Sequence, residues 1–419
     1  MKKLSIKQKK YNISKMRKAN KVLKKINKRK RRHKKVEIIK RKKSKSILKT
    51  FLNEKEFYKK TRGIEKKGIF VIPEIFSFSK NPEETIRRLK KLCYMLRDKK
   101  INQIFIDHSK CEYLGISAST VMDAIITEYK NDNPKLGFRG KISNNEKVNN
   151  MIKHSGIMKH LDIKVDEDKN TDVLPWMKNI DETKAANAVL EYFLKCLKKQ
   201  GMGLKEEGES YLLEMVSEIV QNCQYHGGKH ATWYILGHAN TLDDGKEEMQ
   251  ITIFNFGNTI YESYLLDDTS KDMMLRLKEL NKEYKNINKV KPDEEVLWTL
   301  YSLQEKVSRF WSKETDPNDQ RYSSTRGSGM MSLIRNLYSI GFSNEKNYKP
   351  IMSILSGRVH IIFDEDVDYK NLNFNSQNSI YYPPDNRNVK KINNYFPGTV
   401  ISMKFYLDGK YLRRIINEN

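Results

Sequence analysis

The segment at residues 218–227, Glu-Ile-Val-Gln-Asn-Cys-Gln-Tyr-His-Gly, constrains the fold more than any other part of the chain. Glu218, Asn222 and His226 are spaced four residues apart, so on a helix they form a single polar face. Burying such a face is unfavourable unless something binds to it. A carboxylate can orient or deprotonate a water, and an amide oxygen can ligate a Mg²⁺ that also contacts phosphate oxygens. The segment predicts a helix that holds a metal and a nucleotide; taken alone, it is equally compatible with a solvated polar stripe.

Three later segments favour the first interpretation. Residues 250–259 are an alternating apolar run that ends in a glycine-containing turn, as a strand does before a binding loop. Residues 324–334 place two glycines before a helical apolar pattern, where main-chain N–H groups can face phosphate. Residues 397–405 are a late strand entered through Gly398 and Thr399. Each motif is weak alone, but their shared order along the chain is hard to obtain by chance.

Together the four segments resemble the N box, G1 box, G2 box and C-terminal threonine strand of the GHKL ATPase superfamily, over residues 182–408. The form Glu-x-x-x-Asn-x-x-x-His-Gly is most similar to that of the anti-sigma-factor serine kinases. The resemblance implies an α/β sandwich in which a mixed sheet carries helices on one face. It also implies ATP and Mg²⁺ as cofactors.

The resemblance assigns a role to each matching residue. It makes Glu218 the general base and Asn222 the ligand of Mg²⁺. The nucleotide-binding positions that it implies are Asn222, His226, Asn255, Gly257, Gly327, Gly329 and Thr399; Arg326, next to Gly327, is a further candidate for phosphate contact. In the family, the residues at the His226 and G2-box positions lie by the phosphates, and those at Gly257 and Thr399 lie by the adenine.

Two positions depart from the family pattern. The G1 box has Asp where this chain has Asn255, and its second glycine is replaced by Thr259. The family aspartate accepts a hydrogen bond from the adenine amino group. An asparagine oxygen accepts one without charge assistance, which makes the bond about half as strong. We therefore expect weaker ATP binding or a preference for another purine, and the hinge of the ATP lid is placed in question.

Residues 259–326 are expected to form a long helical lid insertion. Two amphipathic helices are predicted within it, at 270–285 and 292–311. The basic residues that a closed lid would bring toward a triphosphate are Lys306, Arg309, Arg321 and Arg326. The alternative is that these residues are solvated charges on helix faces.

Residues 60–165 alternate strands with helices, which predicts an α/β domain. The run Ile-Phe-Ile-Asp-His-Ser at 104–109, with Tyr-Leu-Gly-Ile-Ser-Ala at 113–118, resembles the STAS domain of anti-sigma-factor antagonists. The resemblance aligns Ser117 with the phosphoacceptor serine and implies a protein partner for this domain. Gly115 and Ala118 depart from the motif, and the alternative interpretation is that Ser117 only caps a helix.

Residues 1–55 form a basic arm that is expected to be disordered or transiently helical. Residues 1–50 carry 24 lysines and arginines against the single acid Glu37, which accounts for most of the net charge of +28. Such a polycation gains affinity for nucleic acid by releasing counterions. The arm therefore predicts a nucleic acid or another polyanion as partner; an anionic membrane surface, the ribosome and a solubilising tail are alternatives.

Other features define the expected compartment. No apolar run approaches 18 residues, so no membrane span is predicted. The four cysteines are scattered and mostly lie within apolar patterns, which indicates buried thiols and a cytoplasmic location. Cys223, His226 and His230 have metal-like spacing, but no second cysteine pair follows, so zinc is not expected.

The functional expectation is an ATP-dependent conformational switch with ATPase activity in a regulatory or defence system. Two alternatives remain open. One is a protein serine kinase that phosphorylates a partner or Ser117; the other is a non-enzymatic nucleic-acid-binding scaffold whose nucleotide site has decayed. The resemblance also raises the expectation of an ATP-dependent homodimer.

Overall fold

The computed structural model describes residues 51, 68–98, 101–161, 171–227, 232–314, 327, 330, 334, 348–363 and 372–411. The basic arm predicted at residues 1–55 lies outside the described residues, except for Phe51. The segment Lys45–Asn419 forms one compact unit.

The N-terminal part of this unit is an α/β layer, as predicted. Its three-stranded parallel sheet has the order β1-β3-β5 and is accompanied by the short parallel pair β2-β4. The strands are β1 (Ile69–Val71), β2 (Ile75–Phe76), β3 (Gln103–Asp107), β4 (Tyr113–Leu114) and β5 (Gly137–Lys141). The helices are α1 (Pro82–Arg97), α2 (Ile116–Asp132), α3 (Glu146–His154) and α4 (Met158–Leu161).

Local sequence explains where the first helix begins and how it packs. The Asn81 side chain caps α1 by accepting a hydrogen bond from Glu84 N, and Pro82 occupies the first helical turn, where its missing N–H is harmless. The residues that α1 buries recur every three or four positions: Ile86, Leu89, Leu92, Cys93 and Leu96.

The C-terminal part is a five-stranded sheet with the order β6-β7-β8-β10-β9. Its strands are β6 (Thr171–Lys178), β7 (Thr232–Thr241), β8 (Glu247–Phe256), β9 (Ile351–Phe363) and β10 (Val389–Leu407). All four ladders that the structure describes in this sheet are antiparallel, whereas the resemblance implied a mixed sheet. The short hairpin between β7 and β8 requires this direction, because parallel neighbours need a long crossover. The sheet also begins before residue 182, since β6 pairs with β7.

Two long helices cover one face of this sheet. They are α5 (Glu182–Lys199) and α6 (Glu206–Gly227), and α6 contains the segment from which the functional prediction began. Val216, Ile219 and Val220 of α6 are buried in the same apolar cluster as Ile235 and Ile253 of the sheet. The predicted helix over this motif is therefore present, with an apolar side packed on the sheet.

The opposite face of the sheet packs against the α/β layer. Alternate residues of the central strands, including Tyr234 and Phe254, belong to the same core cluster as the first sheet and its helices. Across this boundary the rings of Phe78 and Phe396 lie 5.4 Å apart. Glu83 of α1 accepts hydrogen bonds from the main-chain N–H groups of residues 393 and 394, at 2.5 and 2.9 Å. The large sheet is thus a middle layer between α5 and α6 and the α/β layer.

The predicted lid insertion contains three described helices: α7 (Ile260–Tyr264), α8 (Lys271–Asn288) and α9 (Glu294–Tyr301). The helix predicted at 270–285 is confirmed by α8. The helix predicted at 292–311 is too long, because α9 ends at Tyr301 and the chain continues in turns to residue 310. Tyr264, Leu277, Trp298 and Trp311 share a small apolar cluster that holds these elements together.

Among the described residues, no helix is long and apolar enough to cross a membrane. Cys93, Cys111 and Cys196 are free and buried, as the apolar patterns around them predicted.

A buried histidine should make the fold sensitive to acid. His108, which follows β3, is fully buried; among the described residues neither of its ring nitrogens has a hydrogen-bond partner, and burial lowers its pKa to about 4. Its unfolded pKa is near 6.5, so the stability present above pH 6.5 is lost as the pH falls towards 4. That loss is about 3 kcal/mol for one such group. His108→Leu is expected to remove this part of the decline while leaving stability at pH 7 within about 1.5 kcal/mol.

Urea denaturation of both proteins between pH 7 and 4 measures the difference. His360 is also buried with its pKa lowered to about 4, so the variant should remain partly acid-sensitive. Parallel pH curves for wild type and His108→Leu would show that His108 is not the source of the decline.

Candidate functional site

A cavity lies on the helix-covered face of the large sheet, between α6, the lid insertion and the strands β8 and β10. The space between its walls is about 720 Å³, a figure that includes its open mouth. The described residues that line it are Ile219, Asn222, Asn255, Asn258, Ile260, Ser263, Tyr264, Ser302, Val307, Ser308, Gly327, Met330, Thr399 and Ile401. Each of the four predicted motifs contributes to this wall, through Asn222, Asn255, Gly327 and Thr399.

The floor of the cavity is the pairing between β8 and β10. Asn255 and Thr399 are directly opposite each other, and Thr399 N–H donates to Asn255 Oδ1 at 2.8 Å. The hydroxyls of Thr399 and Ser356 are 2.9 Å apart, and Ile260 N–H donates to Ser356 Oγ at 2.9 Å. Main-chain and side-chain hydrogen bonds therefore connect three strands and the start of the lid at this point.

Gly327 allows two backbone segments to approach each other closely at the cavity wall. Its φ is +101°, a conformation that L side chains rarely adopt. A Cβ atom there would lie 2.5 Å from Val307 N, well inside van der Waals contact. The glycine predicted from the G2-type motif is thus required by the geometry of the chain at the cavity.

The described wall of the cavity is neutral. It combines apolar side chains with amides and hydroxyls, and none of the described lining residues carries a formal charge. Such a surface suits a planar heterocycle and its sugar, because the apolar groups cover the ring faces and the amides and hydroxyls pair with its edge. It does not by itself neutralise a triphosphate.

Several predicted site residues lie outside the described part of the structure, and one described residue does not line the cavity. Glu218 and His226 lie on α6, one turn before and one turn after Asn222, but their side chains are outside the described part of the structure. Arg321, Arg326 and Gly329 are also outside it, as are the side chains of the Cys223, His226 and His230 set considered for zinc. Gly257 is described; its N–H donates to Pro397 O at 3.3 Å, and it is not among the residues that line the cavity.

The structure describes two of the basic residues that a closed lid was expected to bring toward a triphosphate. Arg309 is buried and donates to Asp268 Oδ1 at 2.5 Å, and its guanidinium lies 4.1 Å from the Phe310 ring centroid. Lys306 is exposed, and its carbonyl oxygen accepts a hydrogen bond from Arg276. Neither residue lines the cavity. For Arg309 the prediction is wrong, because its charge is already paired within the lid.

Thr259, where the family has a glycine, begins a helix. Its hydroxyl accepts from Glu262 N at 3.1 Å, and its own N–H donates to Glu262 Oε2 at 3.2 Å, which is a capping box. Tyr395 O–H also donates to Glu262 Oε1 at 2.9 Å. The start of the lid is therefore held in place by reciprocal hydrogen bonds where the family pattern has a flexible residue.

Sequence reasoning missed most of the lid residues at the cavity. The missed residues include Ser263, Tyr264, Ser302, Val307 and Ser308, and Asn258 just before the lid. They are small, neutral or aromatic, whereas the search within the lid was for basic residues. The capping-box sequence at 259–262 was the available signal, because it places the first turn of α7 directly after the G1-type strand.

Ser117 is 3% exposed and lies in the first turn of α2. The N-cap of α2 is Gly115, and no side chain makes a capping hydrogen bond there. The interpretation that Ser117 caps the helix is therefore wrong. A phosphate group could reach the hydroxyl only after the residues around it had opened.

A second group of polar residues lies at the opposite end of the large sheet. Asp172, Cys196 and Glu247 are buried with ligand atoms within 4.8 Å of one another. Lys195 and Lys199 each contact Asp172 at 2.5 Å, and although burial alone would raise the pKa of Asp172, these contacts lower it. Burial, together with the two carboxylates, raises the pKa of Cys196 to about 12. A protonated thiol and two bound lysines make this group an ion-pair network and not a metal centre.

Comparison with protein-family models, with curated proteins and with solved structures finds no match for this chain.

Proposed function

We propose that this protein binds a nucleoside triphosphate with Mg²⁺ in the cavity and acts as a nucleotide-dependent conformational switch. ATP is the ligand that the resemblance implies. The observation that carries the proposal is that Asn222, Asn255, Gly327 and Thr399, each taken from a different motif of the sequence, line one cavity. Strand pairing brings Asn255 and Thr399 together, and Asn222 of α6 and Gly327 line the same neutral, concave surface.

Different residues of the cavity would contact different parts of the nucleotide. The apolar side chains and the Asn255–Thr399 floor suit the base and sugar. Asn222 would ligate Mg²⁺, which supplies charge compensation for the phosphates. The phosphates would lie towards Gly327 and the residues that follow it. Glu218, one turn before Asn222 on the same face of α6, would orient or deprotonate the attacking water.

The arrangement of the cavity walls suggests how a ligand would change the protein. One wall belongs to the sheet and α6, and the other to the lid through Ser263, Tyr264 and Val307. A ligand that contacts both walls stabilises the closed arrangement in proportion to its difference in affinity for the two states. β10 carries Thr399 in the floor and, a few residues earlier in the strand, the main-chain groups that bind Glu83 of the α/β layer. This strand is the element through which the lid and the α/β layer would be coupled.

The basic arm supplies a second partner within this proposal. Residues 1–50 carry most of the net charge of +28, which favours nucleic acid or another polyanion. A full-length chain should therefore bind duplex DNA with a steep salt dependence. A chain lacking residues 1–50 that binds equally well would remove this part of the proposal.

A cavity-filling substitution tests the nucleotide site. Met330 is partly buried in the cavity wall, so Met330→Trp is expected to fill the cavity and weaken Mg²⁺–nucleotide binding about tenfold or more. Calorimetry with ATP, GTP and ITP in the presence of Mg²⁺ measures the dissociation constants. Met274→Trp is the matched control, since Met274 is a partly buried methionine of the lid cluster that does not line the cavity. If wild type binds no nucleotide, or if the two variants weaken binding equally, the cavity is not the site.

A further inference from the structure

We propose that the cavity selects a nucleotide whose base carries a carbonyl acceptor, such as a 6-oxopurine, over adenine with its amino group. The inference rests on the proposed nucleotide-binding function and concerns which base that site accepts. It follows from the orientation of a single amide, that of Asn255.

The orientation of the Asn255 side chain is fixed by its neighbour on β10. Asn255 is 4% exposed and lies opposite Thr399, whose main-chain N–H donates to Asn255 Oδ1 at 2.8 Å. Turning the amide over would place the Asn255 NH₂ group against that N–H, two donors face to face. The Thr399 donor would then be buried without an acceptor, so the observed orientation is strongly preferred.

Once Oδ1 is assigned to β10, the other half of the amide is a donor. Asn255 lines the cavity, and no oxygen among the described residues accepts a hydrogen bond from its Nδ2 atom. Nδ2 is not a buried atom that lacks a partner, so it must be exposed to the space of the cavity. The floor of the cavity therefore offers a ligand N–H groups at this position.

The chemistry of the base follows from this donor. A carboxylate here would present a second oxygen, which accepts from an adenine amino group; Asn255 presents NH₂ at that place. An adenine amino group would meet another donor, whereas the O6 atom of hypoxanthine or guanine would accept from it. Asn255 could form a pair of hydrogen bonds with adenine only if both Oδ1 and Nδ2 faced the base. Oδ1 instead lies against the backbone of β10, 3.2 Å from the position that a Cβ atom on Gly398 would occupy.

The experiment compares two nucleotides that differ at this edge of the base. ITP carries a 6-oxo group where ATP carries a 6-amino group. We expect the full-length wild-type protein, with Mg²⁺, to bind ITP about ten- to a hundredfold more tightly than ATP, because the mismatch leaves a buried donor unpaired. Asn255→Asp is expected to reverse the order, since the new carboxylate offers an acceptor to the amino group. Competition against a fluorescent nucleotide gives both dissociation constants.

The control is Asn187→Asp, the same change at an exposed position on α5, which should leave both affinities unaltered. Thermal melting of each variant separates loss of fold from loss of selectivity, and the wild-type ratio alone tests the inference if Asn255→Asp does not fold. Tighter binding of ATP than of ITP by wild type would overturn the inference and leave the nucleotide site standing. Absence of binding by both nucleotides would overturn the proposed function, and the inference with it.

Discussion

Gly398→Ala is expected to lower the free energy of unfolding by about 3–5 kcal/mol and to abolish ligand binding in the cavity. Gly398 has a φ of +149°, and a Cβ atom there would lie 2.0 Å from the carbonyl oxygen of Asn255. That oxygen belongs to the backbone of the neighbouring strand and cannot rotate away. Relief of the clash requires β10 to move off β8 at the point where Thr399 and Asn255 form the cavity floor. Urea denaturation and a binding titration measure the two effects.

Gly245→Ala is the matched control for this prediction. Gly245 also has a positive φ, +83°, in the turn between β7 and β8, but nothing lies within 4 Å of the position of its Cβ. Alanine there carries only the backbone penalty of the left-handed region, about 1–2 kcal/mol. If the two variants lost equal stability, the close approach of β8 and β10 at Gly398 would be less tight than the structure indicates.

The sequence was informative wherever a local rule determines the outcome. The fourfold spacing on α6 and the alternation of residues 250–256 each depend on neighbours in the chain. Such patterns located β8 and α8 to within a few residues. They also identified Asn222, Asn255, Gly327 and Thr399, because glycines, amides and threonines at strand ends are conspicuous in an otherwise charged sequence.

The stacking of the layers was harder to predict from the sequence, although the apolar runs of two strands indicated it. Residues 251–256 of β8 are buried without interruption, and the apolar run of β7 at residues 233–236 behaves in the same way. Continuous burial means that a strand is covered on both faces. The resemblance had implied helices on one face of the sheet; the second face is occupied by the α/β layer.

The lid shows why charge alone is a poor guide to a binding site. Arg309 was a candidate because phosphate attracts arginine, yet a buried arginine is stable only if its charge is paired, and Asp268 pairs it. The partner lies 41 residues away along the chain, so no local pattern reveals it. Neutral lid residues such as Ser263 and Val307 line the cavity because the tertiary structure of the insertion places them there.

Asn222→Ala and Glu218→Ala are expected to separate nucleotide binding from turnover. Asn222 lines the cavity on α6, and loss of its amide should remove the Mg²⁺ dependence of binding together with hydrolysis. Glu218 is assigned to the attacking water, so Glu218→Ala should retain binding and slow hydrolysis by about 10²–10⁴-fold. Single-turnover reactions with γ-labelled nucleotide, with Mg²⁺ and with a chelator, report both properties. Gln221→Ala is the control, since Gln221 lies on α6 but faces about 100° away from Asn222.

The destination of the label decides among the remaining mechanisms. Label released as free phosphate, in a reaction that stops in both variants, supports a switch reset by hydrolysis. Label transferred to the protein would instead indicate a kinase that phosphorylates its own chain, at a site other than Ser117 unless α2 opens, because Ser117 is buried in α2. Binding that is unaffected by Asn222→Ala and by the chelator would mean that the polar face of α6 takes no part. The spacing of Glu218, Asn222 and His226 would then reflect only the packing of the helix.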